Sequence, residues 1–77
     1  MTLTFHYDPM ADAAYIYVKH PIEDGELRDT VPVDVSEVTP VGSGINLDFD
    51  GAGRLLGVEL LGTRRILGEE VLHELST

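Results

Sequence analysis

Residues 45–61 read INLDFDGAGRLLGVELL, and the fold of the chain turns on how they are read. Ile45, Leu47 and Phe49 alternate with Asn46 and Asp48, the period-two pattern of a strand with one apolar face. Asp50, Gly51, Ala52 and Gly53 then supply turn chemistry, and a second run follows with Leu56, Val58 and Leu60. The stretch reads as a β-hairpin. Its register matters, because a slip of one residue moves a strand's apolar set to the opposite face. A three-residue loop pairing Phe49 with Leu55 would carry Glu59 onto the face of Ile45, Leu47 and Phe49 and bury a carboxylate. A four-residue loop over 50–53 pairs Phe49 with Arg54, sets Leu56 opposite Leu47 and Val58 opposite Ile45, and leaves Asp50 to open the turn and Gly53 to close it at positive φ. The four-residue loop is the expected one. The other face, with Asn46, Asp48, Leu55, Gly57, Glu59 and Leu61, is mixed in character.

Upstream of the hairpin the chain continues in strands. Leu3, Phe5 and Tyr7 alternate with Thr2, Thr4 and His6, as in a half-buried strand. Asp8-Pro9 ends it, since proline lacks an amide donor while Asp8 can cap the amides that follow, so 8–12 is expected as a turn or a single helical turn. A second strand is expected over 13–20, where Ala14, Ile16 and Val18 share one face and Tyr15, Tyr17 and Lys19 the other. Pro21 and Gly25 mark a loop. Val31, Val33 and Val35 suggest a third strand over 27–35, placed at a sheet edge by Pro32. Residues 36–44 form a loop into the hairpin. Beyond a turn at Gly62, a short helix is expected over 69–75, with Val71, Leu72 and Leu75 on one stripe and Glu69 and Glu70 favouring its N-terminus. The fold class is α+β: a mainly antiparallel sheet of four to five strands with a short C-terminal helix, in a single domain over 1–77.

A chain of 77 residues buries only about 60% of the surface its unfolded form exposes, so its core is small. With no cysteine, disulfides and thiolate metal sites are excluded, and a self-associating sheet is the expected supplement. The lack of cysteine fits a reducing compartment, and no apolar run reaches the length of a membrane span, so a cytoplasmic location is expected. The net charge of −9, from five Lys and Arg against fourteen Asp and Glu, disfavours nucleic acid and anionic lipid as partners. It would suit a basic protein partner.

Two segments carry a likeness to known proteins. The run YDPMADAAYI over 7–16 and the run DFDGAGRLLGVELL over 48–61 together resemble the family of short prokaryotic proteins known as domain of unknown function 2283, DUF2283. With the segment between them the likeness covers most of the chain. Met10 stands where that family commonly has a charged residue, and Gly68 where proline often precedes the last helix. The resemblance implies a small sheet-containing domain with no agreed activity and no known catalytic residues.

The carboxylates are the one set that suggests chemistry. Asp48, Asp50 and Glu59 fall at positions 1, 3 and 12 of an EF-hand calcium loop, with Gly53 at position 6. Ala52 removes a ligand, however, and alternating strands flank the loop where helices are required. Asp8, Asp12, Asp48, Asp50 and Glu59 would form a divalent-metal or acid–base site if the first turn lay beside the hairpin end. Capping and turn roles explain Asp8, Asp12 and Asp50 more simply. His6, His20 and His73 share no ligand spacing, and no nucleophile or phosphate-loop motif is present, so no catalytic residue and no cofactor is indicated. The expected function is a non-catalytic protein-interaction or homo-oligomerising module, a dimer, of which an antitoxin-like role toward a small basic toxin is one version. The alternative is a divalent-metal-binding protein or carboxylate-based enzyme.

Overall fold

The computed structural model describes residues 3–75. Five strands, β1 (Thr4–Asp8), β2 (Ala13–Tyr17), β3 (Asp29–Val33), β4 (Gly44–Phe49) and β5 (Leu55–Leu61), are followed by two short helices, α1 (Thr63–Leu67) and α2 (Glu69–Leu75). The strands make one antiparallel sheet in the order β1-β2-β5-β4-β3. The hairpin of β4 and β5 thus sits near the centre, β5 pairs with β2 on its other side, and β3 and β1 form the edges.

The hairpin is present, but its register is not the expected one. Phe49 pairs with Leu55, then Asp48 with Gly57, Leu47 with Val58 and Ile45 with Leu60. The tip therefore has the shorter loop, and Leu56 is an extra residue that a β-bulge absorbs. The bulge removes the objection to the short loop. It shifts the rest of β5 by one place, so Glu59 pairs with Asn46 on the polar face instead of joining Ile45 and Leu47. Relative to the four-residue loop the pairing of Val58 has moved by two residues, from Ile45 to Leu47, and a displacement of two preserves faces while changing partners.

One face is apolar except at the start of β3, where the exposed Asp29 pairs with Phe49. Phe5 and Tyr7 of β1 pair with Ile16 and Ala14 of β2, these with Val58 and Leu60 of β5, these with Leu47 and Ile45 of β4, and these with Val31 and Val33 of β3. The buried apolar core comprises Ala14, Leu56, Leu60 and Leu72. Leu75 of α2 lines a cleft with Phe5, His6, Tyr7 and Pro9, which places the helix end beside β1.

Several boundaries differ from expectation. The second strand stops at Tyr17 because the amides of Val18 and Lys19 both donate to the Leu56 carbonyl, at 2.9 and 3.0 Å, a second irregularity beside the bulge. The third is confined to Asp29–Val33 and is exposed along its whole length, an edge strand as Pro32 requires. The last helix has the expected bounds, but of its stripe only Leu72 is buried, Val71 and Leu75 being 45% and 50% exposed. The helix α1 lay hidden in a run with no apolar period. It starts at Gly62, whose φ of 69° is left-handed, and Gly68 at φ 81° separates it from α2.

Gly62 is held on both counts that restrict a residue. A Cβ there would lie 2.7 Å from the Gly42 carbonyl oxygen, whereas one on Gly53, also at positive φ (78°), would meet nothing within 4 Å. Gly53→Ala should cost about 1 kcal/mol from backbone strain alone. Gly62→Ala should cost at least about twice that, because the clash is with backbone. Urea denaturation of the two variants measures the difference, and equal midpoints would contradict it.

Candidate functional site

The polar face of the sheet is tied together by side chains. Tyr15 of β2 pairs with Glu59 of β5, yet its ring leans sideways over Gly57, and its hydroxyl donates to Asp48 Oδ2 of β4 at 2.6 Å. Thr30 of β3 donates from Oγ1 to the other carboxylate oxygen, Asp48 Oδ1, at 2.7 Å. A single carboxylate, 9% exposed, thereby joins β2 to β4 and β3 across the intervening β5. Gly57 is the condition for this. Any Cβ at that position would collide with the Tyr15 ring, so a glycine inside a strand marks a close approach here. Beside the belt, Asn46 Nδ2 donates to Glu59 Oε1 at 2.9 Å. Tyr15 and Tyr17 meet edge to face at 4.7 Å, and Tyr17 meets His20 in the same way at 4.8 Å.

Both oxygens of Asp48 accept from uncharged hydroxyls, so the belt is a set of neutral donors around one buried anion. Burial of Tyr15, then its hydrogen bond to Asp48 and the nearby charges of Asp48 and Glu59, push the phenol well above its ordinary pKa. Tyr15 is thus a donor that keeps its proton. A base or nucleophile at this position would need the opposite shift.

The other proposed carboxylates are dispersed. Asp8 Oδ1 accepts from the amides of Met10 and Ala11, at 3.0 and 3.4 Å, and so caps the first turn as expected. Asp12 has a left-handed backbone, φ 50°, and welds that turn to α1. Its carbonyl accepts from the amides of Gly62 and Thr63 at 3.0 Å, and its Oδ1 accepts from the Tyr7 hydroxyl at 2.8 Å and the Arg64 amide at 3.1 Å. Asp50 Oδ1 accepts from the amides of Ala52 and Arg54, both at 2.9 Å, and its Oδ2 from Arg54 Nε at 3.1 Å. The Arg54 amide above all, with the Ala52 amide and the Arg54 charge, holds the Asp50 carboxyl below the usual range. Asp48 and Glu59 share the polar face, while Asp8 and Asp12 lie at one turn and Asp50 at another. Among the described residues no group of three or more His, Cys, Asp or Glu side chains is gathered as an ion would require.

Two open clefts lie on the surface of the described residues. Lys19, Glu26, Asp50, Arg54, Leu55 and Leu56 line one of about 290 Å³, in which Lys19 is paired with Glu26 at 3.0 Å and Arg54 with Asp50. Phe5, His6, Tyr7, Pro9 and Leu75 line the other, of about 330 Å³. Neither places an unpaired acid beside an unpaired base.

A family model described as "Protein of unknown function (DUF2283)" matches residues 4–64. The chain belongs to this family. The DUF2283 match takes in all five strands, the turn at Asp8 and Asp12, the belt of Tyr15, Thr30 and Asp48, and the start of α1, and it stops short of α2. No curated protein and no solved structure matches the chain. Among the described residues no helix is long and apolar enough to cross a membrane.

The sequence offered Asp48 as a candidate ligand and set Tyr15 on a strand face without joining the two, and Thr30 was not singled out. The usable signal was Gly57, an unexplained glycine in the middle of an apolar strand two places from the residue paired with Tyr15.

Removing the Tyr15 hydroxyl strands a buried oxygen of Asp48, so Tyr15→Phe should lower stability by about 1–3 kcal/mol. Gly57→Ala must displace the ring and should cost at least as much, but much less when Tyr15 is already Ala, a non-additivity that a double-mutant cycle reads directly. The alkaline limb follows from the raised phenol. Below about pH 10 the proton is present in folded and unfolded chains alike. Above that the unfolded chain releases it first, so stability falls as pH rises toward the folded value. Absorbance of ionised tyrosine recorded with circular dichroism should show Tyr15 ionising only as the sheet is lost. Ionisation of all three tyrosines near pH 10 in an intact sheet would refute the belt.

Proposed function

We propose that this DUF2283 domain is a non-catalytic protein-interaction module that assembles with copies of itself in the cytoplasm. The observation that carries the reading is where polar and apolar groups lie. The carboxylates that suggested chemistry are each engaged in a turn, a strand tie or a helix junction. The apolar groups, by contrast, are left in view. Leu27, Val31, Val33, Val38 and Val41 are all exposed, from 38% to 97%, and follow one another in β3 and its flanking segments. A surface of this kind marks a contact site more often than a reaction site. The absence of cysteine is consistent with a reducing compartment. The buried apolar core of Ala14, Leu56, Leu60 and Leu72 is small enough that association would add materially to stability.

Light scattering of the purified chain in dilute solution tests this. The expected result is a mass of at least two chains, with a thermal midpoint that rises with protein concentration. A stable monomer whose midpoint ignores concentration, and which copurifies with no other protein, would count against the reading.

A further inference from the structure

Asp24 and Asp50 are each followed by glycine, and no other aspartate or asparagine of the chain is. An Asp-Gly pair can rearrange without help. The glycine nitrogen attacks the carboxyl carbon of the side chain before it, and glycine has no Cβ to hinder the approach or restrict the backbone. The two pairs share this local chemistry and sit in opposite settings.

Asp50 is held by its own loop. Its Oδ1 accepts from the amides of Ala52 and Arg54, both at 2.9 Å, its Oδ2 accepts from Arg54 Nε at 3.1 Å, and its side chain is 13% exposed. The carboxyl carbon cannot turn onto the Gly51 nitrogen until these bonds break. They also favour the ionised form, from which no hydroxyl can depart. Asp24, by contrast, is exposed in the turn over 23–26, closed by the Glu26 amide donating to the Glu23 carbonyl at 3.1 Å. Among the described residues neither its carboxylate nor the Gly25 amide has a hydrogen-bond partner. Gly25 is left-handed, φ 80°, and a Cβ on it would meet nothing within 4 Å. Nothing has to move aside for a ring to close there.

We propose that Asp24 is a site of spontaneous conversion to isoaspartate, from which the fold protects the same dipeptide at Asp50. The Gly25 nitrogen bonds to Asp24 Cγ, and the hydroxyl of the protonated carboxyl leaves with the amide proton as water. The resulting five-membered imide takes up water at either carbonyl. Attack at the side-chain carbonyl restores aspartate. Attack at the main-chain carbonyl leaves the chain running through Cβ and Cγ, with the main-chain carboxylate free. The turn is then longer by one backbone atom. Its contacts are short-range: Glu26 Oε1 accepts from the Glu23 amide at 2.9 Å and from Lys19 Nζ at 3.0 Å, and Lys19 and Glu26 line the cleft that Asp50 and Arg54 share. Conversion at Asp24 therefore loosens one wall of that cleft, while the strands, which stop at Tyr17 and resume at Asp29, stay paired.

The test ages the full-length chain for weeks at neutral pH, folded or in urea. Enzymatic methylation of isoaspartyl carboxylates with a labelled methyl donor counts the product, and fragmentation mass spectrometry locates it. In the folded chain isoaspartate should accumulate at Asp24 at least about tenfold faster than at Asp50, the effect of having to break even one hydrogen bond to a charged group. In urea the two rates should converge. Equal rates in the folded chain, an Asp24 that stays intact there while the urea-treated chain converts, or a difference that persists in urea would each overturn the assignment. Nuclear magnetic resonance of the converted chain should show displaced amide signals at Glu23 and Glu26 and unchanged ones in β4 and β5, and unmoved signals at Glu23 and Glu26 would overturn the effect on the cleft.

Discussion

The hydroxyl of Tyr15 reaches Asp48 by crossing a strand, and it can do so only because Gly57 has no side chain. From that contact much of the sheet's geometry follows. On the polar face the strands are held by their ladders and by side-chain ties. Thr30 to Asp48 binds the outermost strand β3 to β4, and Tyr15 to Asp48 binds β4 to β2 over β5. The arrangement requires Asp48 to be nearly buried, which is costly for a carboxylate unless its oxygens are satisfied. Both are.

This explains which parts of the chain could be read from its sequence. Alternation placed Phe5, Tyr7, Ala14, Ile16, Val31, Val33, Ile45, Leu47, Val58 and Leu60 on the faces they occupy, because burial on one side of a sheet is written locally with period two. The hairpin register was not written that way. A single extra residue at Leu56 reconciles the short loop with the apolar pattern, and a bulge leaves no mark in alternation when an apolar residue fills it. The boundaries of β2 depended on the same irregularity, since the Leu56 carbonyl takes two amides in place of one. The helix α1 is set by a distant turn rather than by its own residues. Its opening amides at Thr63 and Arg64 bond to Asp12, which lies far away in sequence.

Asp12 also shows why a list of acids was a poor guide to chemistry. In a small domain, loops and helix ends leave many amides unpaired, and an aspartate near each is an economical acceptor. Asp8, Asp12 and Asp50 all act in this way, and the low pKa of Asp50 has that origin. A shifted carboxylate here reports amides that its own loop has aimed at it, and a convergent site would have shown carboxylates aimed at one another.

The two faces of the sheet then pose different physical problems. Five strands at about 4.8 Å spacing present a surface roughly 19 Å across between the outer axes. A helix with its side chains is about 10 Å wide, and α1 and α2 have only five and seven residues. A helical layer of that size cannot span the sheet. The end of α2 lies toward β1, where Leu75 shares a cleft with Phe5 and Tyr7, and the valines of β3 at the far edge stay exposed. On the polar face the strands are tied from within, by Tyr15, Asp48 and Thr30. On the apolar face no internal answer is possible, because aliphatic side chains have no directional bonds with which to tie strands together, and only covering them removes their contact with water. The shortness of the helices is therefore the structural reason why Val31 and Val33 keep their contact with water.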